Sequence, residues 1–518
     1  MMIRKYPVGI QNFEDLRKEG YCYVDKTELM YQLVQSGKYY FLSRPRRFGK
    51  SLLLSTIQAY FEGKKELFHG LAVEQLEQEW NTYPVLHLDL NAQKYDTPES
   101  LYSILNDALC NWESQYETRP SETTHSLRFQ GVIQRAAAKC GQKVVVLIDE
   151  YDKPMLQAIG NEPLQTEYRN TLKAFYGVLK SCDKYLRFAM LTGVTKFSKV
   201  SVFSDLNNLM DISLSSRFAS ICGITEQELH HYFKEDIRLL GESQGMSPED
   251  TSRELKQWYD GYHFSDKSED IYNPFSLLNT FAQRQFGSYW FETGTPTFLV
   301  ELLKHCRYDL NHLTQEMAMA DSLNGIDSME ENPVPILYQS GYLTIKDFDR
   351  EFRYYTLGFP NKEVEEGFTK FLLPHYAHLS SGNSAFELSR FVQEVRGGQT
   401  DAFMKRLQSF FADCPYELAR DLERHYQNVL FIVFKLLGFY TQAEYHTSEG
   451  RVDLVVQTTD YIYVMEFKLE GTAEEALRQI NEKHYALPFA SDSWKLFKIG
   501  VNFSNAIRSI EKWLIEEK

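Results

Sequence analysis

The stretch that most constrains the fold of this chain covers residues 38–62, with the sequence KYYFLSRPRRFGKSLLLSTIQAYFE. Its apolar start, at 39–42, predicts a buried strand, and the spacing of the apolar residues over 49–61 predicts a helix. The connection between them ends in four residues, Phe48, Gly49, Lys50 and Ser51. A Gly-Lys-Ser sequence between a strand and a helix has the chemistry of a phosphate-binding loop.

The residues of this loop have separate roles in that chemistry. Gly49 lets the backbone approach a ligand closely, and the N-terminus of the helix presents free N–H groups to an anion. Lys50 can reach the β- and γ-phosphates of a nucleotide, and the hydroxyl of Ser51 can hold Mg²⁺. We assign four neighbouring residues to the same nucleotide site, Arg46, Arg47, Phe48 and Leu52.

The loop departs from the full phosphate-loop pattern at one position. That pattern has a glycine five residues before Gly49, where this chain has Arg44 followed by Pro45. Proline favours an extended conformation in the residue before it, so the strand is expected to continue to Arg44 and the turn to begin at Pro45. The alternative interpretation is a basic helix N-terminus on an ordinary α/β crossover.

Length and composition limit the class of protein. At 518 residues the chain is too long for one core, and roughly three to four domains are expected. The net charge of −15 argues against a broad basic surface that wraps nucleic acid, so any such contact is expected to be local or assisted by metal ions. The seven cysteines are scattered without a CxxC pair, which is typical of reduced thiols. The N-terminus lacks an apolar signal core, so we expect a cytoplasmic protein without a membrane span.

A second part of the nucleotide site is predicted from residues 143–148, KVVVLI, which read as a strand buried on both faces of a parallel sheet. The strand ends in Asp149 and Glu150, and the carboxyl end of a central strand is where such folds hold a metal and a water. Asp149 would bind Mg²⁺ through water, and Glu150 would orient or deprotonate the attacking water. The alternative is an acidic loop after a core strand.

Two further residues are candidates for sensing the γ-phosphate. The apolar strand at 186–191 ends in Thr192, and either Thr192 or Thr195 could serve, although small hydroxyl residues are also ordinary strand terminators. A strand placed between the phosphate-loop strand and the acidic strand indicates the additional-strand (ASCE) class of P-loop ATPases. Arg217 is the second candidate, as an arginine finger or sensor, with a plain surface charge as the alternative.

Four segments, YVDKTELMYQLVQSGKYYFLSRPRRFGKSLLLSTIQAYFEG, VVVLIDEYDKP, LTGVTKFS and YNPFSLL, resemble the bacterial AAA-ATPase-like family, which is related to the archaeal-type ATPases. The resemblance covers roughly the first 290 residues, over half of the chain. It implies an N-terminal P-loop ATPase with a parallel sheet and bound ATP. It also implies that the Arg-Pro-Arg-Arg loop is the family's own form of the phosphate loop.

The middle of the chain is predicted to be helical and then to form a hairpin. A capping box at Thr225 and Glu228 begins the helical part, which we interpret as a lid. Over 334–364 the pattern predicts a helix, strands at 342–346 and 352–357, and a second helix. This arrangement resembles the winged-helix appendage of archaeal-type ATPases. A winged helix reads DNA or contacts protein, and both interpretations stay open.

The last hundred residues carry a second group of candidate catalytic residues. Residues 416–437 predict a helix that carries Glu423, and strands at 450–457 and 461–468 predict a hairpin. Strand alternation puts Glu466 and Lys468 on one face and Phe467 on the other, and Asp453 can converge on the first face. Two carboxylates would take Mg²⁺, which polarises a phosphodiester, while Lys468 stabilises negative charge.

The order Asp453, Glu466-X-Lys468, within GRVDLV and VMEFK and followed by ALRQI, resembles the PD-(D/E)XK nuclease superfamily. The resemblance implies an α/β restriction-endonuclease-like domain. It also implies that Glu423 is the acid of the first helix and that Gln479 is the glutamine of the following helix. The alternative is a solvated charged hairpin without catalytic function.

Together these observations predict four parts: an AAA-ATPase-like P-loop domain at 1–225, a helical lid at 226–300, a winged-helix-like and helical region at 301–415, and a nuclease-like domain at 416–518. The leading hypothesis is an ATP-hydrolysing protein coupled to a Mg²⁺-dependent nuclease in defence or mobile-element processing. A second is a signalling ATPase whose nuclease-like domain only binds nucleic acid or protein, and a third is a nucleotide-gated scaffold. The expected partners are ATP and nucleic acid, a membrane is not expected, and a homo-oligomer is considered.

Overall fold

The protein is described by a computed structural model over residues 4–197, 208–267, 269–293, 297–323, 332–377, 384–411, 422–438, 442–445, 453–468, 471–489, 494–504 and 506–517. The chain divides into two units. The first comprises 1–294 with 315–363, and the second comprises 295–314 with 364–518. The finer division into four parts stays a prediction.

The strands are β1 (Tyr39–Ser43), β2 (Val85–Asp89), β3 (Val144–Asp149), β4 (Leu186–Gly193), β5 (Met210–Asp211), β6 (Ile224–Thr225), β7 (Ile271–Tyr272), β8 (Glu316–Met319), β9 (Thr344–Asp349), β10 (Tyr354–Gly358), β11 (Gln442–Tyr445), β12 (Leu454–Gln457), β13 (Tyr461–Lys468), β14 (Lys495–Ser504) and β15 (Ser509–Glu517).

The helices are α1 (Phe13–Lys18), α2 (Thr27–Ser36), α3 (Lys50–Phe61), α4 (Val73–Leu76), α5 (Pro98–Tyr116), α6 (His125–Cys140), α7 (Lys153–Gln157), α8 (Glu162–Ser181), α9 (Glu226–Tyr232), α10 (Lys234–Gln244), α11 (Pro248–Tyr259), α12 (Pro274–Gln283), α13 (Tyr289–Glu292), α14 (Thr297–His305), α15 (Ala320–Leu323), α16 (Val334–Gln339), α17 (Lys362–Tyr376), α18 (Ser384–Arg396), α19 (Thr400–Ser409), α20 (Leu422–Gly438) and α21 (Ala473–Glu482). No helix in the described ranges is both long and apolar enough to cross a membrane.

The first unit is built on a parallel sheet with the strand order β2-β3-β4-β1-β5. β3 is buried along its whole length, as its run of valine and isoleucine predicts for a strand covered on both faces. β4 lies between β1 and β3, which confirms the predicted ASCE arrangement. Because all the strands are parallel, the phosphate loop after β1, the acidic end of β3 and the end of β4 share one edge of the sheet.

The predicted lid is helical. Helices α9 to α12 pack around a core that includes Leu229, Phe233 and Leu255. The capping box predicted at Thr225 and Glu228 forms, with each side chain accepting a backbone N–H of the other residue. Helix α9 therefore begins at the residue that the sequence indicated.

The predicted helix and hairpin are present as α16, β9, β10 and α17. A third strand, β8, pairs with β10 and was not predicted. The strands begin two residues later than predicted, at Thr344 and Tyr354, because the apolar residues that precede them belong to turns. β8 is short and carries exposed methionines, so its sequence lacks the alternation that marks a strand.

The second unit contains a sheet with the order β11-β12-β13-β14-β15, in which β13 and β14 are parallel and the other pairs antiparallel. Helix α21 packs on one face of this sheet through Ile480, against Ile462 and Val464. The helix predicted over 416–437 is described as α20 from Leu422, and residues 416–421 lie outside the described part. Residues 450–452 of the predicted hairpin also lie outside it.

Candidate nucleotide and nuclease sites

The phosphate loop joins β1 to α3 through a left-handed turn. Gly49, immediately before the helix, has φ 94°, a conformation that strains any residue with a Cβ. Lys50, the first residue of α3, is buried, and its Nζ donates hydrogen bonds to the carbonyl oxygens of Arg44 at 3.1 Å and Pro45 at 3.3 Å. The loop thus curves over the Lys50 ammonium and holds it at the start of the helix.

Arg44, the residue in place of the first glycine, is a structural support of the loop. It is 1% exposed, and its guanidinium donates to the carbonyl oxygens of Ser213 at 2.8 Å, Phe218 at 3.4 Å and Ala219 at 3.3 Å. The guanidinium also lies 4.0 Å from the centroid of the Phe264 ring. Burial lowers the pKa of Arg44, but arginine remains charged at any working pH. The first half of the loop is therefore fixed by a buried side chain.

The next loop residues are held by aromatic rings. The Arg46 guanidinium lies 5.2 Å from the Trp290 ring, and the indole N–H of Trp290 donates to the Arg46 carbonyl oxygen at 2.9 Å. The Arg47 guanidinium lies 5.1 Å from the Phe275 ring. Both cations keep their charge near the loop while lying close to aromatic rings. Their predicted role in binding nucleotide stays a prediction.

Phe48 and the first turn of α3 complete the loop. The Phe48 side chain is 1% exposed and packs edge-on against Tyr262 with centroids 4.7 Å apart. Its ring is therefore a core residue, and only its backbone remains for a phosphate. Ser51 and Leu52 are half-buried on the first turn of the helix.

The acidic pair lies opposite Lys50 at the end of β3. Asp149 is buried, and its Oδ1 accepts hydrogen bonds from the Thr192 hydroxyl at 2.5 Å and from the Glu150 N–H at 3.0 Å. The Oε1 atom of Glu150 lies 3.9 Å from the Nζ of Lys50. Burial raises the pKa of Glu150 to about 7, and Lys50 acts in the opposite direction. A carboxylate with a pKa near neutrality suits a general base.

Glu150 also has strained backbone geometry, with φ 52°. A non-glycine residue in the left-handed region costs about 1–3 kcal/mol and is frequent at functional sites. This turn carries the Glu150 side chain from the end of β3 toward Lys50. The structure thus brings together Lys50, Asp149, Glu150 and Thr192 of the predicted nucleotide site.

Arg217 is placed differently from these four residues. It lies on a single turn of 3₁₀ helix, is exposed, and its guanidinium lies 5.0 Å from the ring of the adjacent Phe218. Exposure suits an arginine that reaches a nucleotide only after a movement or from another copy. Its sensor role stays a prediction.

The predicted nuclease residues meet on the α21 face of the second sheet. Oε1 of Glu466 accepts hydrogen bonds from the amide nitrogen of Gln479 and from the Lys468 ammonium, the latter at 3.4 Å. The Lys468 ammonium in turn donates to Oε1 of Gln479 at 2.5 Å. Glu466 is 3% exposed, and within the described residues its Oε2 has no hydrogen-bond partner. A buried carboxylate oxygen without a partner is costly unless something binds it.

Asp453 approaches the same carboxylate from the neighbouring strand. Leu454 pairs with Met465, so the preceding residue, Asp453, lies opposite Glu466. Oδ2 of Asp453 accepts the backbone N–H of Phe467 at 2.8 Å. Burial raises the pKa of Glu466 to about 7, with a further increase from Asp453, and burial also raises the pKa of Asp453.

The Phe467 ring lies on the opposite face, as alternation predicts. Its centroid is 6.0 Å from that of Phe434 on α20 and 6.2 Å from that of Phe503 on β14. Glu423 lies on α20, but its side chain is outside the described part of the structure. The nuclease-like cluster therefore consists of Asp453, Glu466, Lys468 and Gln479.

The donor set of this cluster fits a hard divalent cation. In the described residues there is no group of three or more His, Cys, Asp or Glu side chains that could hold a metal ion. Asp453 and Glu466 supply two carboxylates, and the free Oε2 of Glu466 is a ligand atom of the kind that Mg²⁺ uses. Mg²⁺ commonly takes one or two protein carboxylates and fills its other positions with water and phosphate oxygens.

Comparison with known proteins identifies the families of two segments of the chain. A family described as "Predicted AAA-ATPase" matches residues 7–203, and the PD-(D/E)XK nuclease superfamily matches residues 421–513. A protein of Azotobacter chroococcum mcd 1, described as an uncharacterized protein in the vnfD 5′ region, is 36% identical over 526 residues, which cover 100% of this chain and 99% of that relative. The chain belongs to the AAA-ATPase-like family with a C-terminal PD-(D/E)XK domain.

A solved structure has a weaker likeness to this AAA-ATPase-like protein. The Aeropyrum pernix ORC2 protein, in ADPNP–ADP complexes, aligns over 65% of this chain and 87% of its own, at 11% identity and a TM-score of 0.24. A likeness at this level supports no argument, and the fold assignment is based on the strand order.

Sequence reasoning missed a clamp at the end of β4 in this AAA-ATPase-like protein. The fully buried Asp152 accepts hydrogen bonds at 2.6 Å from both the backbone N–H and the hydroxyl of Thr195. Gly193 is required beside it, because a Cβ there would lie 2.4 Å from Oδ1 of Asp152. The clamp fixes the end of β4 and hence Thr192. Thr195, the alternative sensor, has its hydroxyl engaged in this clamp.

A cavity beside the phosphate loop was also missed. It has a volume of about 100 Å³ and adjoins Gly49 and Leu52. Most of its lining is apolar and comes from separate segments, with side chains that include Pro7, Leu16, Tyr23, Val24, Phe233 and Leu278. Its place beside the loop and its apolar walls suit the base of a nucleotide. These residues are far apart in the chain, so no local pattern indicates them.

Gly500 is a third feature that no local sequence pattern indicates. It pairs with Glu466 across β13 and β14, and a Cβ there would lie 2.4 Å from the carbonyl oxygen of Ala473 and 2.5 Å from the backbone nitrogen of Leu477. This glycine therefore permits α21 to approach the sheet closely, and Gln479 on α21 reaches Glu466 as a result.

Proposed function

We propose that this protein binds and hydrolyses ATP in its first unit and cleaves nucleic-acid phosphodiester bonds with a divalent cation in its second. The observation that carries the nuclease proposal is the buried Glu466 carboxylate. One of its oxygens is bound by Lys468 and Gln479, and the other is without a partner among the described residues. Such a carboxylate is oriented for a ligand that supplies positive charge.

In the nuclease reaction, Asp453 and Glu466 would hold Mg²⁺, which polarises the phosphodiester and supplies a hydroxide when bound. Lys468 would place its ammonium beside the phosphate and stabilise the charge that develops on its oxygens. Gln479 would position that ammonium, because its amide oxygen accepts from Lys468 while its amide nitrogen donates to Glu466. Phe467 would anchor the strand from the core side.

In the ATPase reaction, Lys50 would bind the β- and γ-phosphates, and Ser51 and Asp149 would hold Mg²⁺. Glu150 would accept a proton from the attacking water, a task that suits its raised pKa. Thr192 would keep the Asp149 carboxylate in place through its hydrogen bond. Arg46, Arg47 and Arg217 would add positive charge near the phosphates.

The biological setting that we propose is defence or mobile-element processing in the cytoplasm. Support comes from the pairing of an ATPase domain with a nuclease-superfamily domain in one chain. ATP binding would restrict cleavage to a defined state, which a protein that cuts nucleic acid inside a cell requires. The net charge of −15 favours a narrow site over an extended basic track.

A cleavage panel tests the nuclease proposal. Full-length protein is incubated with Mg²⁺ or Mn²⁺, with and without ATP, against single- and double-stranded DNA and RNA. Glu466→Gln is expected to lower cleavage by at least about 10²-fold, because it removes a metal ligand. The control is Glu516→Gln, since Glu516 on β15 forms a surface ion pair with Lys498 at 2.6 Å. Binding of nucleic acid without cleavage under all conditions would instead make the domain a binding module.

A further inference from the structure

Asn502 lies beside the nuclease-like cluster, although no sequence pattern indicated it. β14 runs parallel to β13, with Gly500 paired to Glu466 and Asn502 paired to Lys468. Side chains at paired positions of a parallel ladder project from the same face of the sheet. Asn502 therefore lies on the face that carries Glu466 and Lys468, next to the lysine.

The Asn502 amide is buried and only partly satisfied. The side chain is 6% exposed, and its Nδ2 donates to Oε2 of Glu511 at 3.1 Å. Because a carboxylate only accepts hydrogen bonds, this contact determines which end of the amide is nitrogen. The other end, Oδ1, has no hydrogen-bond partner in the part of the chain that the structure describes. A buried acceptor without a hydrogen-bond partner lowers the stability of the folded state by about 1–3 kcal/mol.

Local backbone geometry supports a directed side chain. The pairing of β14 with β15 shifts register between Asn502 and Phe503, the mark of a bulge or irregularity. Bulges are frequent next to active sites, where they change the direction of a side chain. Glu511, the β15 residue that the shift leaves without a register partner between Ile510 and Lys512, accepts from the Asn502 nitrogen instead.

We propose that Oδ1 of Asn502 accepts a hydrogen bond from a water bound to the divalent cation held by Asp453 and Glu466. The proposal depends on the proposed nuclease function. Two protein carboxylates leave most of the positions of Mg²⁺ to other oxygens, which include waters. Glu466 and Asn502 each present one buried oxygen without a partner on the same sheet face. A hydrated cation gives both oxygens a partner, and Asn502 acts as a positioning residue through the water.

The test measures cation binding directly and then cleavage. Binding of Mn²⁺ alone to the full-length protein is measured from the electron paramagnetic resonance signal of free Mn²⁺, without nucleic acid or nucleotide, so that the proposed ATPase site lacks the phosphate oxygens that would complete a cation site there. Asn502→Ala is expected to weaken Mn²⁺ binding by about 10–100-fold, because the residue orients a ligand of the metal. The double variant Asn502→Asp with Glu511→Gln keeps the shape of the side chain and gives one aspartate oxygen an amide donor in place of the Glu511 carboxylate. It adds a charge toward the cation, so it is expected to bind Mn²⁺ at least as tightly as the wild type.

Asn481 provides a matched control. Its Nδ2 donates to Oε2 of Glu516 at 3.0 Å, and its Oδ1 accepts from Lys498 at 2.6 Å. It is thus another asparagine paired to a β15 glutamate, but with its oxygen satisfied. Asn481→Ala is expected to leave the Mn²⁺ affinity within about twofold of the wild type, even where the melting temperature falls.

Three outcomes decide between the proposals. Weaker Mn²⁺ binding in Asn502→Ala with retention in the double variant Asn502→Asp with Glu511→Gln supports the inference. Wild-type Mn²⁺ binding in Asn502→Ala, together with lost binding in Glu466→Gln, overturns the inference and leaves the nuclease proposal standing. Wild-type Mn²⁺ binding in Glu466→Gln overturns the nuclease proposal itself. If Asn502→Ala does not fold, the double variant Asn502→Asp with Glu511→Gln decides, since a loss of Mn²⁺ affinity there contradicts the inference.

Discussion

The Lys50 ammonium lies 3.9 Å from the Glu150 carboxylate while it donates to two carbonyl oxygens of its own loop. Lys50 is therefore positioned between the phosphate-binding loop and the proposed general base. Its charge lowers the pKa of Glu150 against the effect of burial. A phosphate that draws Lys50 toward itself would weaken this effect and make Glu150 a stronger base.

The first prediction separates nucleotide binding from hydrolysis. Lys50→Ala is expected to abolish ATP binding, because it removes the ammonium aimed at the β- and γ-phosphates. Glu150→Gln is expected to keep binding and to lower the hydrolysis rate by about 10²–10⁴-fold, since an amide cannot accept the proton. Titration with a fluorescent ATP analogue and a phosphate-release assay measure the two effects.

The control for this pair is Lys38→Ala. Lys38 precedes β1, and its Nζ lies 2.7 Å from Oδ1 of Asp183. The Lys38→Ala variant should bind and hydrolyse ATP as the wild type does. Undiminished ATP turnover in either Lys50→Ala or Glu150→Gln would contradict the assignment of this site.

The second prediction concerns the missing glycine of the loop. Arg44→Gly restores the full pattern, yet it is expected to lower the free energy of unfolding by about 3 kcal/mol, because three buried carbonyl oxygens lose a charged donor. Urea denaturation measures this change. Arg44→Ala removes the same contacts and should lose a similar amount. A variant with glycine at position 44 as stable as the wild type would show that these contacts are not needed.

The third prediction tests the close approach of α21 to the sheet. Gly500→Ala places a Cβ against the backbone of α21. It is expected to lower the free energy of unfolding by about 1–3 kcal/mol and to move Gln479 away from Glu466. Unfolding and cleavage are both measured. Gly177→Ala is the control, because a Cβ there meets nothing within 4 Å and the site lies inside α8. That control should be neutral or more stable by up to about 1 kcal/mol.

The fourth prediction is a pH dependence set by Glu363. This buried carboxyl accepts two hydrogen bonds at Oε1, from the Ser276 hydroxyl at 2.9 Å and from the backbone N–H of Trp290 at 2.7 Å. Burial raises its pKa to about 8 from the ordinary value of 4.5. Between these pH values the folded state keeps a proton that the unfolded state has lost. The Glu363 contribution to stability is therefore present below about pH 4.5 and is lost as the pH rises toward about 8.

Glu363→Gln cannot ionise and should remove this dependence. Its melting temperature is expected to exceed that of the wild type at pH 8, with a smaller difference at pH 5. Glu249→Gln, at an exposed position in the first turn of α11, serves as the control. A Glu363→Gln protein that is less stable than the wild type at pH 8 would show that the carboxylate is ionised and needed.

The fifth prediction concerns communication between the two activities. If ATP binding controls cleavage, a nonhydrolysable ATP analogue should change the cleavage rate as ATP does, and ADP should not, because only the triphosphate offers a γ-phosphate to one conformational state. Lys50→Ala should remove the effect of nucleotide. Equal cleavage with ATP, ADP or no nucleotide, in the wild type and in Lys50→Ala, would show that the two sites work independently.

The sequence by itself determined the chemistry that lies within single elements. The Gly49-Lys50-Ser51 loop, the Asp149-Glu150 pair and Glu466-X-Lys468 each stand next to a strongly periodic strand or helix, so neighbouring residues indicate both the element and its reactive end. The same periodicity put Phe467 on the core face, which its contacts with Phe434 and Phe503 bear out. The placement of a strand between the phosphate-loop strand and the acidic strand was also predicted.

The tertiary structure alone decided which distant residues complete each site. Arg44 finds its carbonyl partners after β5, Asp152 holds Thr195 at the end of β4, and Gly500 admits α21. Asn502 lies beside Lys468 only because β14 pairs with β13 in that register. Burial and hydrogen bonding at these positions depend on contacts between segments far apart in sequence. A local pattern cannot encode them, because the same residues in another packing arrangement would be exposed or differently paired.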